Sequence, residues 1–283
     1  MNYRLDNRVA LENDAPRADI TEKVTGKAKY TTDQYLPGML WACYIRSPAG
    51  RVKLKSANVT AASAVPGVLE VEVKKNAGGY HGDRLGHICA ESRAALELAL
   101  VALEMRFGQD DPRTQLEEER TPLGELRPPD GEAEVMEILS QSDIVVEAEY
   151  QTHVQTHCCL EPHGAVVDFR GDSATGYGST QSNIGFRDDL AGLLKLKANQ
   201  VESHCEYVGG GFGSKFGVGV EGRLAAQMSE KYRRPCRVIC NRKEEQIDTG
   251  NRPGSMQYMK LGLSDDGEIR GGRIATWGSV GPT

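Results

Sequence analysis

Gly209-Gly210-Gly211-Phe212-Gly213-Ser214-Lys215 is the most distinctive stretch of this 283-residue chain. Residues 201–208 before it alternate as a strand does, and residues 223–232 after it carry helical spacing with Pro235 as a stop. A glycine-rich turn between a strand and a helix exposes backbone N–H groups that can meet a phosphate or another oxyanion. A nucleotide P-loop needs GxxxxGK followed by Ser or Thr. Here Lys215 follows Ser214 and precedes Phe216, so that reading fails. A dinucleotide fingerprint occurs at Gly217-Val218-Gly219-Val220-Glu221-Gly222. It starts nine residues past the expected strand end, with no matching βαβ unit, and is weak. Two readings stay open: a backbone cradle for a bulky cofactor with Phe212 packed against it, and a tight structural turn.

Working outward, Gly178-Ser179-Thr180-Gln181-Ser182-Asn183 stands some thirty residues upstream, just after an expected strand. Further back is His157-Cys158-Cys159-Leu160-Glu161-Pro162-His163-Gly164, and downstream is Thr249-Gly250-Asn251-Arg252-Pro253. Around these motifs the pattern predicts strands over 144–150, 165–169 and 237–240, a helix over 188–196 and a hairpin over 256–276. The first half reads as mixed α and β. Strands are expected over 38–45 and 69–73, and a helix capped by Ser92 runs to about residue 106, with Leu96, Ala99, Leu103 and Phe107 on one face.

Charge divides the chain. Residues 1–107 carry 15 basic and 12 acidic side chains, residues 108–150 carry 3 and 13, and residues 151–283 carry 16 and 15. The acidic middle also holds Pro112, Pro122, Pro128 and Pro129, the composition of a surface linker. The net charge of −6 argues against a general nucleic-acid partner. The longest apolar run is six residues, so no membrane span is expected, and the first thirty residues show no secretory leader. A cytoplasmic location is the expectation, with export beside a partner subunit as the alternative. Seven cysteines without a CxxC argue against a disulfide framework, a zinc ribbon or an iron–sulfur cluster in this chain. The six histidines show no ligand spacing, so no metal held directly by side chains is expected.

The ordered set Glu-Pro-His, Ser-Thr-Gln, Gly-Gly-Gly-Phe-Gly-Ser-Lys and Gly-Asn-Arg-Pro resembles the molybdenum-binding large subunit of the xanthine oxidase/aldehyde oxidoreductase family, the molybdenum hydroxylases. Gly26-Lys27-Ala28-Lys29-Tyr30-Thr31-Thr32-Asp33, Leu36-Pro37-Gly38-Met39-Leu40 and Arg46-Ser47-Pro48 are similar to the opening of that family's α/β hammerhead domain. The resemblance implies an α+β fold. An extension over 1–19 precedes a hammerhead domain over 20–107. An acidic linker over 108–139 then leads to the first part of a molybdenum-cofactor-binding domain over 140–283.

It also implies a molybdenum–pterin cofactor, with its cytosine dinucleotide form as a variant, held through the pterin rather than by protein side chains. Gln181 matches the glutamine whose amide donates to an oxo group on molybdenum. Gly211, Phe212 and Gly213 match the loop whose main chain approaches the metal centre and the pterin. Arg252 sits where some relatives place a substrate-orienting arginine, whereas Glu161 and His163 are expected to shape the start of a strand. Phe216 stands where purine-oxidising relatives place a substrate-binding glutamate. That departure favours an aldehyde or an aromatic heterocycle, hydroxylated with oxygen from water. Electrons would leave through an iron–sulfur subunit and an FAD subunit. The family's large subunit continues further and supplies most pterin contacts and a glutamate base later, so a second chain completing the site is expected. The alternative is a non-catalytic assembly module left from a truncated subunit.

Overall fold

The computed structural model describes residues 17–74, 76–110 and 121–279. Its strands are β1 (Leu40–Arg46), β2 (Val52–Ser56), β3 (Val68–Val73), β4 (Ala77–Gly78), β5 (Arg84–Ala90), β6 (Arg106–Gln109), β7 (Ile144–Thr152), β8 (Gly164–Phe169), β9 (Ala174–Gly178), β10 (Val201–His204), β11 (Cys236–Ile239), β12 (Ser255–Leu263) and β13 (Ile269–Gly278). The helices are α1 (Ile20–Val24), α2 (Val59–Ser63), α3 (Arg93–Ala102), α4 (Glu132–Ser140), α5 (Asn183–Leu194), α6 (Gly219–Tyr232) and α7 (Arg242–Ile247). Among the described residues no helix is long and apolar enough to cross a membrane.

Seven strands form one mixed sheet in the order β10-β9-β8-β11-β1-β5-β3. The pairing of β1 with β11 is parallel and joins the two sequence halves, with Leu40 opposite Cys236. The halves expected on either side of residues 108–139 therefore share a sheet rather than forming one each. From Thr121 onward the expected linker is packed structure. The Trp277 indole N–H donates to the Thr121 carbonyl at 2.9 Å, and Leu123 and Leu126 pack against Met256 and Trp277. Helix α4 lies on the antiparallel sheet β13-β12-β7. Residues 111–120 of the expected linker, and most of the extension over 1–19, lie outside the described residues.

Two cores flank the large sheet. One packs α5 and α6 onto β8 and β9, and the other packs α2 and α3 onto β5 and β3. Phe186 is at the centre of the first, 1% exposed. A Cβ at Gly176 or Gly178 would come within 2.7 or 2.5 Å of its ring, so these glycines in β9 make room for it. Helix α5 begins five residues earlier than its spacing predicts, because the Ser182 hydroxyl accepts from the Gly185 N–H at 3.3 Å and caps it. Ser92 caps α3 as expected, accepting from the Ala95 N–H at 3.2 Å. That helix stops at Ala102 rather than near residue 106. Arg106 and Phe107 are instead taken by β2, with Leu54 opposite Phe107. Strand β10 is also shorter than the alternation predicts. Its last pair is His204 with Tyr177, one residue before β9 ends.

Helix α7 ties the halves at a second place. Asn241 and Glu244 form a reciprocal capping box at its start, with side chain to backbone distances of 3.0 and 2.7 Å. Arg46 of β1 reaches across to Glu244 at 3.1 Å and to the Asp248 carboxylate. Glu245 points inward, its side chain fully buried, and accepts from the His163 backbone N–H and from the His163 Nδ1 at 2.9 Å. Burial opposes its charge, but the His163 side-chain and backbone hydrogen bonds outweigh burial and hold the carboxyl below its usual pKa.

Phe186→Ala should cost about 3–5 kcal/mol of stability, read from urea unfolding, because the glycines of β9 that make room for the ring cannot fill the space an alanine leaves. Glu245 carries the acid dependence of the β8–α7 contact. A folded pKa below the unfolded one adds stability that is complete above the unfolded value and fades as pH falls through the folded value. Urea midpoints from pH 7 down to about pH 3 should show this loss in the wild type. In Glu245→Gln the slope should flatten, with stability at pH 7 reduced by about 1.5–3 kcal/mol.

Candidate functional site

The glycine loop leaves β10, packs against the N-terminal end of β8 and the C-terminal end of β9, and feeds α6. Its far end is anchored by Lys215, whose side chain is fully buried. The Lys215 ammonium donates to the Glu161 carbonyl at 2.7 Å and to the Ser179 hydroxyl at 2.6 Å. The Glu161 carboxylate lies 3.9 Å from it and accepts from the Gly209 N–H at 2.7 Å. Glu161 and Gly209 also pair backbone to backbone at 3.0 Å. A Cβ at Gly209 would overlap that of Glu161, which is why the chain uses glycine there. Asp189 of α5 holds the far shoulder, accepting from the Val218 N–H at 3.1 Å, in the space a side chain on Gly217 would need.

Gln181 sits under the loop. Its backbone N–H donates to the Lys215 carbonyl at 2.8 Å, and its Oε1 accepts from the Gly213 N–H at 2.9 Å. Its Nε2 makes no hydrogen bond among the described residues and is left to donate outward. Gly211 lies so close to this amide that a Cβ there would overlap it. Gly213 has φ +93° with nothing within 4 Å of where its Cβ would be, so its backbone faces open space. Phe212 takes φ +53°, a left-handed conformation rare for an aromatic residue, and holds its ring 71% exposed.

Two clefts meet at this loop. One, of about 370 Å³, is lined by Gln155, Thr156, His157, Phe212, Arg252 and Pro253. The other, of about 310 Å³, includes His157, His163, Gly213, Ser214 and Asn251. Arg252 is placed by a two-way backbone bridge to Gln155, at 2.8 and 3.1 Å. Its guanidinium makes no hydrogen bond or ion pair among the described residues. His157 lines both clefts. Its Nδ1 is buried without a partner, as is the Asn251 Oδ1. Burial, reinforced by the neighbouring His163, pushes the His157 imidazole below its usual pKa and leaves it neutral near pH 7.

The structure brings Gln181, Gly211, Phe212 and Gly213 into one contact set, and Phe212 and Arg252 onto one cleft. Glu161 and His163 stand at the start of β8, where the sequence reading puts them. Lys215, Glu245 and His157 were missed as parts of this site. A lysine after a glycine run and a glutamate in the polar helix 242–247 carry no signal of burial, which is decided by segments 36 to 82 residues apart. His157 stood within a quoted motif, but nothing in the sequence marked its ring as unpartnered.

A family model for the molybdopterin cofactor-binding domain matches residues 121–283. The chain is 25% identical, over 92% of its length, to the aldehyde oxidoreductase molybdenum-binding subunit of Escherichia coli (strain K12), of which it spans 39%. It is 26% identical, over 94% of its length, to the nicotinate dehydrogenase large molybdopterin subunit of Eubacterium barkeri, of which it spans 69%. Quinoline 2-oxidoreductase from Pseudomonas putida 86 shares the fold with a TM-score of 0.79 at 23% identity, over 93% of this chain and 38% of that one. The CO dehydrogenase of Oligotropha carboxidovorans gives 0.83 at 17% identity, over 94% and 39%. The chain thus spans about two fifths of the length of most of these proteins. With more than half of its residues matched by that model, it belongs to the molybdopterin cofactor-binding domain family.

Proposed function

We propose that this chain contributes the glycine-loop part of a molybdenum–pterin site to an oxidoreductase that hydroxylates an aldehyde or an aromatic heterocycle. The observation that carries this reading is the Gln181 amide. Two loop N–H groups face its oxygen, at 2.9 and 3.5 Å, and its Nε2 is left to donate to a ligand. The residues present fit such a group in three further ways. Gly213 offers open backbone, and His157 and Asn251 each hold a buried polar atom with no partner beside the adjoining cleft. Residues 20–107 are read as the α/β hammerhead domain, and 140–283 as the first part of the cofactor-binding domain.

When bound, the molybdenum–pterin group supplies the two-electron oxidation, with water as the oxygen source. This chain's residues bind and orient. Gln181 donates from a neutral amide, so it directs a ligand oxygen without adding charge. His157, neutral and half-buried, offers a further polar contact at the junction of the clefts. Arg252 orients the substrate and stabilises negative charge building on a carbonyl oxygen. Phe212 lines the cleft that holds Arg252, and Phe216 stands where purine-oxidising relatives place a substrate-binding glutamate, which favours an aldehyde or another aromatic heterocycle. The relatives include an aldehyde oxidoreductase and a nicotinate dehydrogenase, alongside xanthine dehydrogenases. Iron–sulfur and FAD partner subunits would accept the electrons, and the pterin would be present in its simple or its cytosine dinucleotide form.

Gln181→Glu keeps an acceptor for the Gly213 N–H, removes the outward donor and adds charge. In the native complex its turnover should fall about a hundredfold or more, while its thermal midpoint stays near that of the wild type. Gln181→Ala should do the same with a slightly looser loop, and unchanged rate and molybdenum content in both would sink the assignment. Gly213→Val should fold, at a backbone cost of about 1 kcal/mol or more, yet lose its pterin. A folded Gly213→Val with a full complement of pterin would remove the loop from the cofactor site.

A further inference from the structure

At the opposite edge of the large sheet, β3 and β5 set Glu70, Glu72 and His87 together. Glu72 pairs directly with His87, and Glu70 with Cys89. Side chains two apart on a strand share a face, so Glu70 and Glu72 turn away from Val71 and Val73, which pack in the core with α3. One ligand atom from each of the three residues lies within 4.8 Å of the others. The His87 side chain is only 5% exposed, and its Nε2 has no hydrogen-bond partner. That nitrogen points between two carboxylate oxygens, Glu70 Oε1 at 3.4 Å and Glu72 Oε2 at 3.6 Å.

The surrounding cations leave this space open. The Lys231 ammonium and the Tyr232 hydroxyl, in the last turn of α6, both bind Glu70 Oε2, at 2.7 and 2.9 Å. Glu70 Oε1 is thereby turned toward His87. The Lys74 ammonium lies 3.3 Å from Glu72 Oε2, and both groups are largely exposed, so this pair is easily exchanged. Burial lowers the His87 pKa despite the two carboxylates, which favours the neutral imidazole that ligates metals.

We propose that Glu70, Glu72 and His87 form a binding site for a divalent first-row transition cation such as Zn²⁺ or Co²⁺, separate from the glycine-loop site. His87 Nε2, Glu70 Oε1 and the Glu72 carboxylate are the protein ligands, and water completes the shell. One imidazole with two carboxylates suits these borderline ions better than Ca²⁺ or Mg²⁺, which prefer all-oxygen sets. A bound ion satisfies the orphaned imidazole nitrogen and cross-links the edge strand β3 to β5. Through Glu70 it also stiffens the contact with the end of α6, so binding stabilises the fold.

The probe is Co²⁺, titrated into the purified chain and followed by its visible absorption. One equivalent should bind with the spectrum of nitrogen and oxygen ligation and raise the thermal midpoint. His87→Gln and Glu72→Gln should each weaken binding by about tenfold or more. Glu72 is substantially exposed, so its variant decides the matter if His87→Gln fails to fold. No saturable uptake, uptake unchanged in the folded variants, or a thiolate-to-cobalt charge-transfer band placing the ion on a cysteine would each overturn the proposal.

Discussion

Lys215 carries a positive charge to full burial behind the glycine loop, and the loop's shape follows from how that charge is satisfied. Removing an ammonium from water costs several kcal/mol unless neighbours replace its solvation. The replacements are the Glu161 carbonyl, the Ser179 hydroxyl and the more distant Glu161 carboxylate. Those groups sit just before β8 and just after β9, so the cation fixes both strand ends against the loop. The Lys215 carbonyl then takes N–H and O–H donors from Gln181 and Thr180, at 2.8 and 3.1 Å. Gln181 is thus oriented from two sides, by the backbone of Lys215 and by the N–H of Gly213. A lysine that looks like a failed phosphate ligand in the sequence is the internal post on which the exposed amide depends.

The platform under the loop is itself a joint product of both sequence halves. Parallel pairing of β1 with β11 closes the large sheet, and side chains lock the joint. Arg46 reaches α7, and Arg237 on β11 lies between the Tyr35 and Trp41 rings at 5.0 and 4.9 Å. Its guanidinium also caps the Thr32 and Gln34 carbonyls at 2.8 and 3.3 Å. These contacts make the first half a structural wall for the second rather than an appendage, which explains why the two halves on either side of an acidic, proline-rich segment share one sheet.

The site's electrostatics suit a ligand that brings its own charge. Gln181, Asn251 and the neutral His157 supply dipoles, and Arg252 supplies one positive charge from the rim. Two acidic side chains behind the loop are turned inward and committed, Glu161 to Lys215 and Gly209, and Glu245 to His163. A ligand approaching the loop therefore meets a glycine backbone without side chains and neutral polar groups, while Glu221 and Asp248 are the carboxylates on the second cleft.

Local pattern alone determined much of this protein. Alternation marked β3, local pattern marked β8 and the β12–β13 hairpin, Ser92 marked the start of α3, and the glycine loop with its flanking motifs marked the place where a cofactor site is proposed. Those features are legible because each depends on a few neighbouring residues. Tertiary structure decided the rest. The single sheet needs β1 and β11, almost 200 residues apart. Arg106 and Phe107 became a strand because β2 offered unpaired backbone, overriding helical spacing. Lys215, Glu245 and His87 are polar by type, and nothing near them in the chain announces their burial. Their roles arise only when distant segments close around them and exclude water, since a charge or imidazole acquires obligatory partners when solvent can no longer serve.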